Sequence, residues 1–240
     1  MKTETLNRSK QLQSWEHLKC SHETLYEEMK QLIYCLFEQS GTFRDAFRRV
    51  DIRNDFRQTD HVIDIFQALT DRTFSFDSDT LHDITTRFIA FFPCTYFSSN
   101  NDMIFRGDSA IFLKMSESDK NQYIVNRKIR RSYYKTMLYT LVHRCIVYRI
   151  PLIIENPASQ TIKQYLGTPT VSHSRNKYGD YFYKPTYYYC YNCKFDERFM
   201  TLQQLYKPQN IQRLKGGNRT VKRSMISPEY ADNFIKAIFW

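Results

Sequence analysis

Glycine and proline are scarce in this sequence, with 6 and 7 copies in 240 residues, which leaves little room for long flexible linkers. No stretch approaches the roughly 18 uninterrupted apolar residues of a membrane-spanning helix, and the opening MKTETLNRSK is charged from its start. These absences argue against a membrane protein and against a mostly disordered chain. We therefore expect a soluble, cytoplasmic protein with any disorder confined to its ends.

The six cysteines do not follow the pattern of a small secreted domain, so we expect reduced thiols rather than a disulfide framework. Cys190 and Cys193 have the spacing of a zinc knuckle, but a structural zinc site needs four ligands and the sequence has no second close cysteine pair. The histidines show no paired spacing on one helix face, and no Gly-rich phosphate loop occurs. We predict no metal site.

Hydrophobic residues make up 42% of the chain and aromatic residues 16%, which is enough for one large globular core. The net charge is +10, and a charge of this sign suits a polyanionic partner. Basic residues concentrate over 126–135 and 213–223. The alternative interpretation of each cluster is a solvated helix or loop surface.

The pattern along the chain alternates apolar strand-like runs with helical segments, which predicts an α/β fold with a mostly parallel sheet and helices on both faces. We expect a single domain over residues 1–240, with a helical extension at 1–30 and a small hairpin and basic loop at 178–222. The aromatic run at 178–191 favours packing in a hairpin, with base stacking as the alternative. Strands are predicted at 32–37, 87–93 and 150–157, a short helix after Gly41, an apolar element at 61–69 and a long basic helix at 128–149.

Three of these segments, LFEQSG, FFPCTYFS and LIIENPAS, turn from apolar to polar where a strand ends. Because ligands of open α/β sheets bind beyond the carboxyl ends of the strands, these ends predict the site. Cys94 is a candidate nucleophile there, although most free cysteines are buried as small hydrophobes. Glu155 is a candidate acid, with the alternative that Glu155 or Asn156 caps a helix that begins at Pro157.

The ordered series FFPCTYFS, LIIENP and SRNKYGDYFYKPT resembles the motifs of cytosine-5 DNA methyltransferases, in the compact form of bacteriophages and mobile elements. The resemblance implies a Rossmann-like class I methyltransferase fold, the cofactor S-adenosylmethionine and DNA as partner. It covers roughly residues 32–239, in family order.

The resemblance implies that Cys94 attacks carbon 6 of a flipped cytosine, while Glu155 protonates or hydrogen-bonds ring nitrogen 3. Arg175 would orient that carboxylate or contact the base, and Asn156 would hold the loop. The remaining residues implied or proposed to bind substrate are Pro157, Lys184, Arg130 and Arg131.

The segment FEQSGTFRDAF resembles the cofactor loop of the family, and the segment TDHVIDIF resembles the family's acidic segment near the adenine. Gln39 occupies the position of the usual first glycine, and residues 223–239 resemble the closing motif that completes the pocket. The resemblance assigns the cofactor to Phe37, Glu38, Gly41, Asp51, Asp64 and Pro93.

We therefore expect a DNA cytosine-5 methyltransferase, acting as a monomer in the cytoplasm of a bacterial host, that protects phage or mobile-element DNA from restriction. Gln39 motivates one alternative, an inactive protein of the same fold that binds DNA or a host defence protein. The lack of an obvious target-recognition domain motivates another, a methyltransferase of free pyrimidine nucleotides. The loop over 215–223 and the basic helix are the candidate DNA contacts.

Overall fold

A six-stranded mixed β-sheet with helices packed on both faces forms the fold in the computed structural model of the chain. The structure describes residues 31–37, 41–50, 54–59, 87–98, 102–200 and 225–239. The α/β class expected from the sequence is confirmed for these residues. The predicted elements at 10–30 and 61–69, and the basic loop at 215–223, lie outside them.

Six strands form the sheet: β1 (Gln31–Leu36), β2 (Asn54–Thr59), β3 (Arg87–Phe91), β4 (Leu152–Pro157), β5 (Val171–Ser174) and β6 (Pro185–Tyr191). The strand order is β2-β1-β3-β4-β6-β5. Five strands run in one direction, and β6 alone is antiparallel to its neighbours β4 and β5. The sheet is mixed because β5 and β6 are joined through residues 175–184 without a crossover helix, so β6 returns alongside β4 in the opposite direction.

The described residues form five α-helices beside the sheet: α1 (Thr42–Arg49), α2 (Asp102–Arg106), α3 (Glu117–Val147), α4 (Gln160–Leu166) and α5 (Pro228–Phe239). Helix α3 begins well before the predicted residue 128, where the Ser116 side chain accepts a hydrogen bond from the backbone N–H of Asp119 at 3.1 Å. All of its buried residues, from Met137 to Cys145, lie in its second half. Its first half therefore has no apolar stripe from which a helix could be predicted. None of the described helices is long and apolar enough to cross a membrane.

Alternate residues of the central strands point to opposite faces of the sheet and build two cores. On one face, Phe88 and Ile154 pack with Met137 and Leu141 of α3. On the other, residues of β3 and β4 pack with α1 and α5, including Ile89, Ile153, Phe43, Phe47 and Phe234. Burial on both faces explains why these strands are continuous apolar runs in the sequence.

The chain reverses its direction across the sheet at β1, which has β2 on one side and β3 on the other. The helices that follow β1 and β3, α1 and α3, pack on opposite faces. In open α/β sheets such a reversal leaves a crevice at the carboxyl ends of the two strands. The register pairs Phe91 with Glu155, so the end of β4 lies at the same edge.

Candidate active site

Cys94 lies just beyond the carboxyl end of β3, at the start of a short 3-10 turn, Cys94–Tyr96, that follows Pro93. It is the one exposed thiol among the described cysteines: Cys35 and Cys145 are buried, and Cys190 and Cys193 are partly buried. Cys94 is therefore not a packed core cysteine. Its position at a strand end and its exposure suit a nucleophile.

Side chains from three other elements hold the loop around Cys94. Each of them donates a hydrogen bond to a backbone carbonyl of the loop: Asn156 Nδ2 to Phe92 O at 3.0 Å, Ser159 Oγ to Phe97 O at 2.5 Å, and Arg127 Nη2 to Thr95 O at 3.0 Å. The guanidinium of Arg127 also lies over the ring of Tyr96, 5.3 Å from its centroid. These contacts fix the backbone on both sides of the thiol, which limits the conformations that Cys94 can adopt.

Glu155 is buried at the carboxyl end of β4, with 6% of its surface exposed. Its Oε1 atom lies 3.7 Å from Nη1 of Arg175 and accepts no hydrogen bond from the described residues. The helix-cap alternative is wrong for Glu155 and Asn156, because Ser159 caps α4 by accepting a hydrogen bond from Ile162 N at 3.2 Å. Pro157, the last residue of β4, pairs with Thr186.

Arg175 is the largest fully buried side chain in the described structure, at 1% exposure, and lies in a 3-10 turn, Arg175–Lys177, after β5. Its Nη2 atom lies 2.5 Å from Oδ2 of Asp180, in addition to the contact with Glu155. Burial opposes the charge of Arg175, but the carboxylates of Asp180 and Glu155 outweigh burial and hold its pKa above the ordinary value. The guanidinium therefore remains a cation between two carboxylates.

Asp180 is a site residue that the motif comparison missed. Its Oδ1 atom accepts hydrogen bonds from the backbone N–H groups of Tyr181 at 2.9 Å and Ser227 at 3.0 Å. Ser227 in turn accepts from Tyr230 N at 3.1 Å at the start of α5. Asp180 is the only acidic residue within the aromatic run at 178–191. A single carboxylate among aromatic residues indicates a buried acid with a cationic partner, and this pattern is visible in the sequence.

Tyrosines of β6 and α5 pack beside Glu155. Tyr188, directly opposite Glu155 in the sheet, is hydrogen-bonded through its hydroxyl to Tyr230, whose hydroxyl also lies 3.0 Å from His173 Nε2. Burial, together with Tyr230 and Glu155, raises the pKa of Tyr188. Both Tyr188 and Tyr189 are buried in the two cores, and β6 pairs with β4 and β5 rather than forming a hairpin within the run at 178–191.

Lys184 interacts electrostatically with both Glu155 and Cys94. It precedes β6 by one residue, and strand alternation places it on the same face as Thr186 and Tyr188, the face of Glu155. Burial lowers the pKa of Lys184, while Glu155 and Cys94 both favour its charged form. The ammonium is therefore within electrostatic range of the thiol and the carboxylate.

The residues assigned to the cofactor are described only in part. Phe37, at the end of β1, has φ 63 and packs its ring 4.7 Å from that of Phe92. Gly41 precedes α1 with φ 74, a conformation that side chains other than glycine strain to adopt. Pro93 directly precedes Cys94, so the structure brings the ends of β1 and β3 together. Glu38, Asp51 and Asp64 lie outside the described residues.

The two arginines assigned to substrate lie on α3. Arg130 is exposed. Arg131 instead lies 3.7 Å from Asp102 and 4.3 Å over the ring of Phe105, so it holds α2 against α3. Among the described residues, no hydrogen bond or ion pair joins Arg130 or Arg131 to Cys94 or Glu155.

The arrangement suits nucleophilic attack assisted by acid–base chemistry. It combines an exposed thiol on a restrained loop, a buried carboxylate and two cationic side chains at one edge of the sheet. Among the described residues, no cluster of three or more side chains that could ligate a metal occurs. Neither a protein-family model nor a curated protein matches the chain.

Proposed function

We propose that this protein has a Rossmann-like class I methyltransferase fold and transfers a methyl group from S-adenosylmethionine to carbon 5 of cytosine in DNA. The observation that carries the proposal is the convergence of the exposed Cys94 thiol and the buried Glu155–Arg175 pair at the ends of adjacent parallel strands. The reversal of strand order at β1, with α1 and α3 on opposite faces, supports the fold.

In this reaction the Cys94 sulfur forms a bond to carbon 6 of the cytosine, and the electron pair of the 5,6 double bond shifts toward carbon 5 and the ring. Glu155 stabilises that charge by hydrogen bonding or proton donation at ring nitrogen 3. Arg175 holds the carboxylate in place from one side, and Asn156 holds the thiol loop through Phe92 O. Once carbon 5 has taken up the methyl group, loss of its proton to a base and expulsion of the Cys94 thiolate restore the double bond.

S-adenosylmethionine supplies the electrophilic methyl group when bound. The described part of the loop after β1 fits such a donor in two respects. The rings of Phe37 and Phe92 form an apolar surface at the strand reversal, and Gly41 turns the chain with φ 74 into the amino end of α1, where backbone N–H groups favour a carboxylate. Phe37, Gly41 and Pro93 would therefore hold the donor.

DNA is the partner that the charge distribution supports best. The chain carries a net charge of +10, and exposed Lys128 and Arg130 lie on α3, the helix whose Arg127 holds the Cys94 loop. A cytosine in a duplex has to leave the base stack before carbon 6 can reach a thiol. Methylation of phage or mobile-element DNA in a bacterial cytoplasm would protect it from restriction.

The first test is calorimetric titration of the pure, folded protein with S-adenosylmethionine. Binding is expected, and its absence would refute the enzymatic proposal. The second test is covalent trapping with DNA that contains 5-fluorocytosine, because fluorine cannot leave carbon 5 as a proton does. We expect an adduct with the wild-type protein and with Cys190→Ser, and none with Cys94→Ser.

Tritiated methyl transfer to DNA and to dCMP, measured in parallel, separates a polymer from a nucleotide substrate. Transfer to DNA alone supports the proposal. Transfer to dCMP alone would overturn the assignment of DNA as substrate while keeping Cys94 as nucleophile. An adduct that persists in Cys94→Ser would overturn the nucleophile itself.

A further inference from the structure

A pair of cysteines, Cys190 and Cys193, lies at the amino ends of the parallel strands, at the opposite edge of the sheet from Cys94. Cys190 belongs to β6, and Cys193 follows its end after a tight turn at Asn192, which has φ 55. Asn192 Nδ2 donates hydrogen bonds to Cys145 O at 2.7 Å and Ile150 O at 3.1 Å, so the turn is pinned to the end of α3. The register pairs Tyr191 with Leu152, the first residue of β4, which fixes the edge at which the two thiols lie.

Arg87 brings a cation to this edge. It is the first residue of β3 and is partly buried, with Nη1 donating to Ile238 O at 3.4 Å and the guanidinium 4.8 Å over the ring of Phe239. Within the described residues its buried Nε has no hydrogen-bond partner, and no carboxylate forms an ion pair with it. Burial lowers the pKa of Arg87, and the group that opposes this effect is Cys193.

A partly buried guanidinium without a carboxylate is costly unless another anion lies beside it. Cys193, which lines the same cleft as Arg87, is the ionisable group that the local structure offers. Cys190 and Cys193 lie on either side of the turn at Asn192, and the Cys193 thiol donates a hydrogen bond to Leu152 O at 3.6 Å. Interaction with Cys190, helped by Arg87 and opposed by burial, lowers the pKa of Cys193, and the same interaction raises the pKa of Cys190. One thiol is thus prepared as the nucleophile and its neighbour as a proton donor.

Cys193 is also accessible. It is half-buried between the exposed residues Asn192 and Lys194, and it lines a small cleft with Arg87, Pro151, Ile153, Ile238 and Phe239. Cys145 provides the contrast, because it is fully buried and burial raises its pKa to about 12. Reactivity at this edge is therefore confined to the Cys190–Cys193 pair.

We propose that Cys190 and Cys193 form a redox-active dithiol that exchanges with small disulfides, with Cys193 as the attacking thiolate, Arg87 as its counterion and Cys190 as the resolving thiol. The Cys193 sulfur attacks a disulfide R–S–S–R, whose S–S bond breaks as one R–S⁻ leaves. Cys190 then loses its proton and attacks the Cys193 sulfur, releasing the second R–S⁻. The protein loses two thiols and gains one disulfide, and the small disulfide is reduced to two thiols.

The test treats the folded full-length protein with glutathione disulfide and maps every cysteine by mass spectrometry with time. In the wild type we expect an internal Cys190–Cys193 disulfide that dithiothreitol reverses. Cys190→Ser is expected to retain glutathione on Cys193, because the resolving thiol is gone. In Cys193→Ser, reaction at Cys190 is expected to be at least about tenfold slower than reaction of Cys193 in the wild type, since one unit of thiol pKa changes the thiolate fraction about tenfold.

Arg87→Gln tests the counterion, and Arg87→Lys is its matched control. We expect the initial reaction of Cys193 to slow by roughly tenfold in Arg87→Gln and to recover in Arg87→Lys. Cys94 is the internal comparison, because it is exposed and should retain glutathione as a mixed disulfide in all variants. Circular dichroism verifies that each variant is folded.

Three outcomes would overturn the proposal. The first is a wild-type protein in which Cys193 reacts no faster than the buried Cys145. The second is a Cys193→Ser variant in which Cys190 reacts at the wild-type rate of Cys193. The third is an unchanged rate in Arg87→Gln, which would remove the guanidinium from the site. None of these results depends on methyl transfer, since the pair lies at the opposite sheet edge from Cys94.

Discussion

The Nη1 atom of Arg175 lies 3.7 Å from the Oε1 atom of Glu155, and both side chains are almost completely withdrawn from solvent. The same guanidinium lies 2.5 Å from Asp180. Asp180 is in turn bonded to the backbone ahead of α5 through Ser227 N. Arg175 therefore links the end of β4 to the last helix, and the charge that positions Glu155 also contributes to the stability of the fold.

Replacing Asp180 by Asn should destabilise the protein strongly, because Arg175 would keep its buried charge with only the more distant Glu155 as counterion. Breaking a buried ion pair from one side costs about 3–5 kcal/mol. Urea denaturation followed by circular dichroism measures this loss directly.

The matched control is Asp196→Asn, which breaks an ion pair of the same 2.5 Å length with Arg198 on the surface. Because solvent screens that pair, its loss should leave the urea midpoint nearly unchanged. Equal midpoints for the two variants would show that burial of the Arg175–Asp180 pair has no energetic consequence.

Replacing Asn156 by Ala should release the Cys94 loop, because Phe92 O would lose the hydrogen bond from Asn156 Nδ2 at 3.0 Å. The cost of an unsatisfied buried acceptor is about 1–3 kcal/mol. Hydrogen exchange over residues 92–98 should become faster, and this measurement separates loosening of the loop from a general loss of stability. Asn126→Ala, which removes an exposed amide on α3, is the control and should leave exchange in the loop unchanged.

Arg127 and Arg130 should affect DNA methylation in different ways, although both lie on α3. Arg130 is exposed, so Arg130→Gln should weaken DNA binding and reduce the slope of log affinity against log salt by about 1. Arg127 holds Thr95 O at 3.0 Å, so Arg127→Gln should also slow formation of the Cys94 adduct at saturating DNA. Identical adduct rates for the two variants at saturation would contradict a role of Arg127 in positioning the loop.

His173 should make the protein sensitive to mild acid. Burial, with Arg175 and Lys177 nearby, lowers the pKa of His173 to about 4 in the folded state, against about 6.5 in the unfolded chain. Between these values the unfolded state binds a proton that the folded state does not, so stability is complete above about pH 6.5 and falls as the pH drops toward 4. We expect a contribution of about 2 kcal/mol over this window, reduced from the full linkage value because the side chain is only partly buried.

Urea midpoints measured from pH 8 to pH 4 in the wild type and in His173→Asn test this expectation. The variant loses the contact with the Tyr230 hydroxyl at every pH, so only the difference between the two pH slopes is diagnostic. Parallel curves would rule out His173 as a source of the acid sensitivity.

The central strands were predictable because burial on both faces requires an apolar side chain at nearly every position. The segments predicted at 32–37, 87–93 and 150–157 correspond to β1, β3 and β4 with boundary differences of one or two residues. Gly41 also marked the start of α1, whose buried residues Phe43, Ala46 and Phe47 follow at helical spacing. These features depend on local pattern, and local pattern is visible in a sequence.

The first half of α3 and the antiparallel placement of β6 were not predictable from such patterns. Residues 117–136 of α3 bury no side chain, so no apolar stripe marks that part of the helix. The direction of β6 depends on which edge of the sheet the chain re-enters after β5, and no residue of β6 specifies that edge.

The local sequence is enough to place two chemical groups at strand ends: a thiol at Cys94 after an apolar run and a carboxylate at Glu155 after another. The partners of such groups depend on how distant segments fold together. Asp180 interacts with Arg175, and Arg87 interacts with Cys193. The strength of each interaction depends on how deeply the pair is buried and on which strands become neighbours. The reason is physical, since a charge is costly or useful according to how far it is removed from water and what lies within a few ångströms of it.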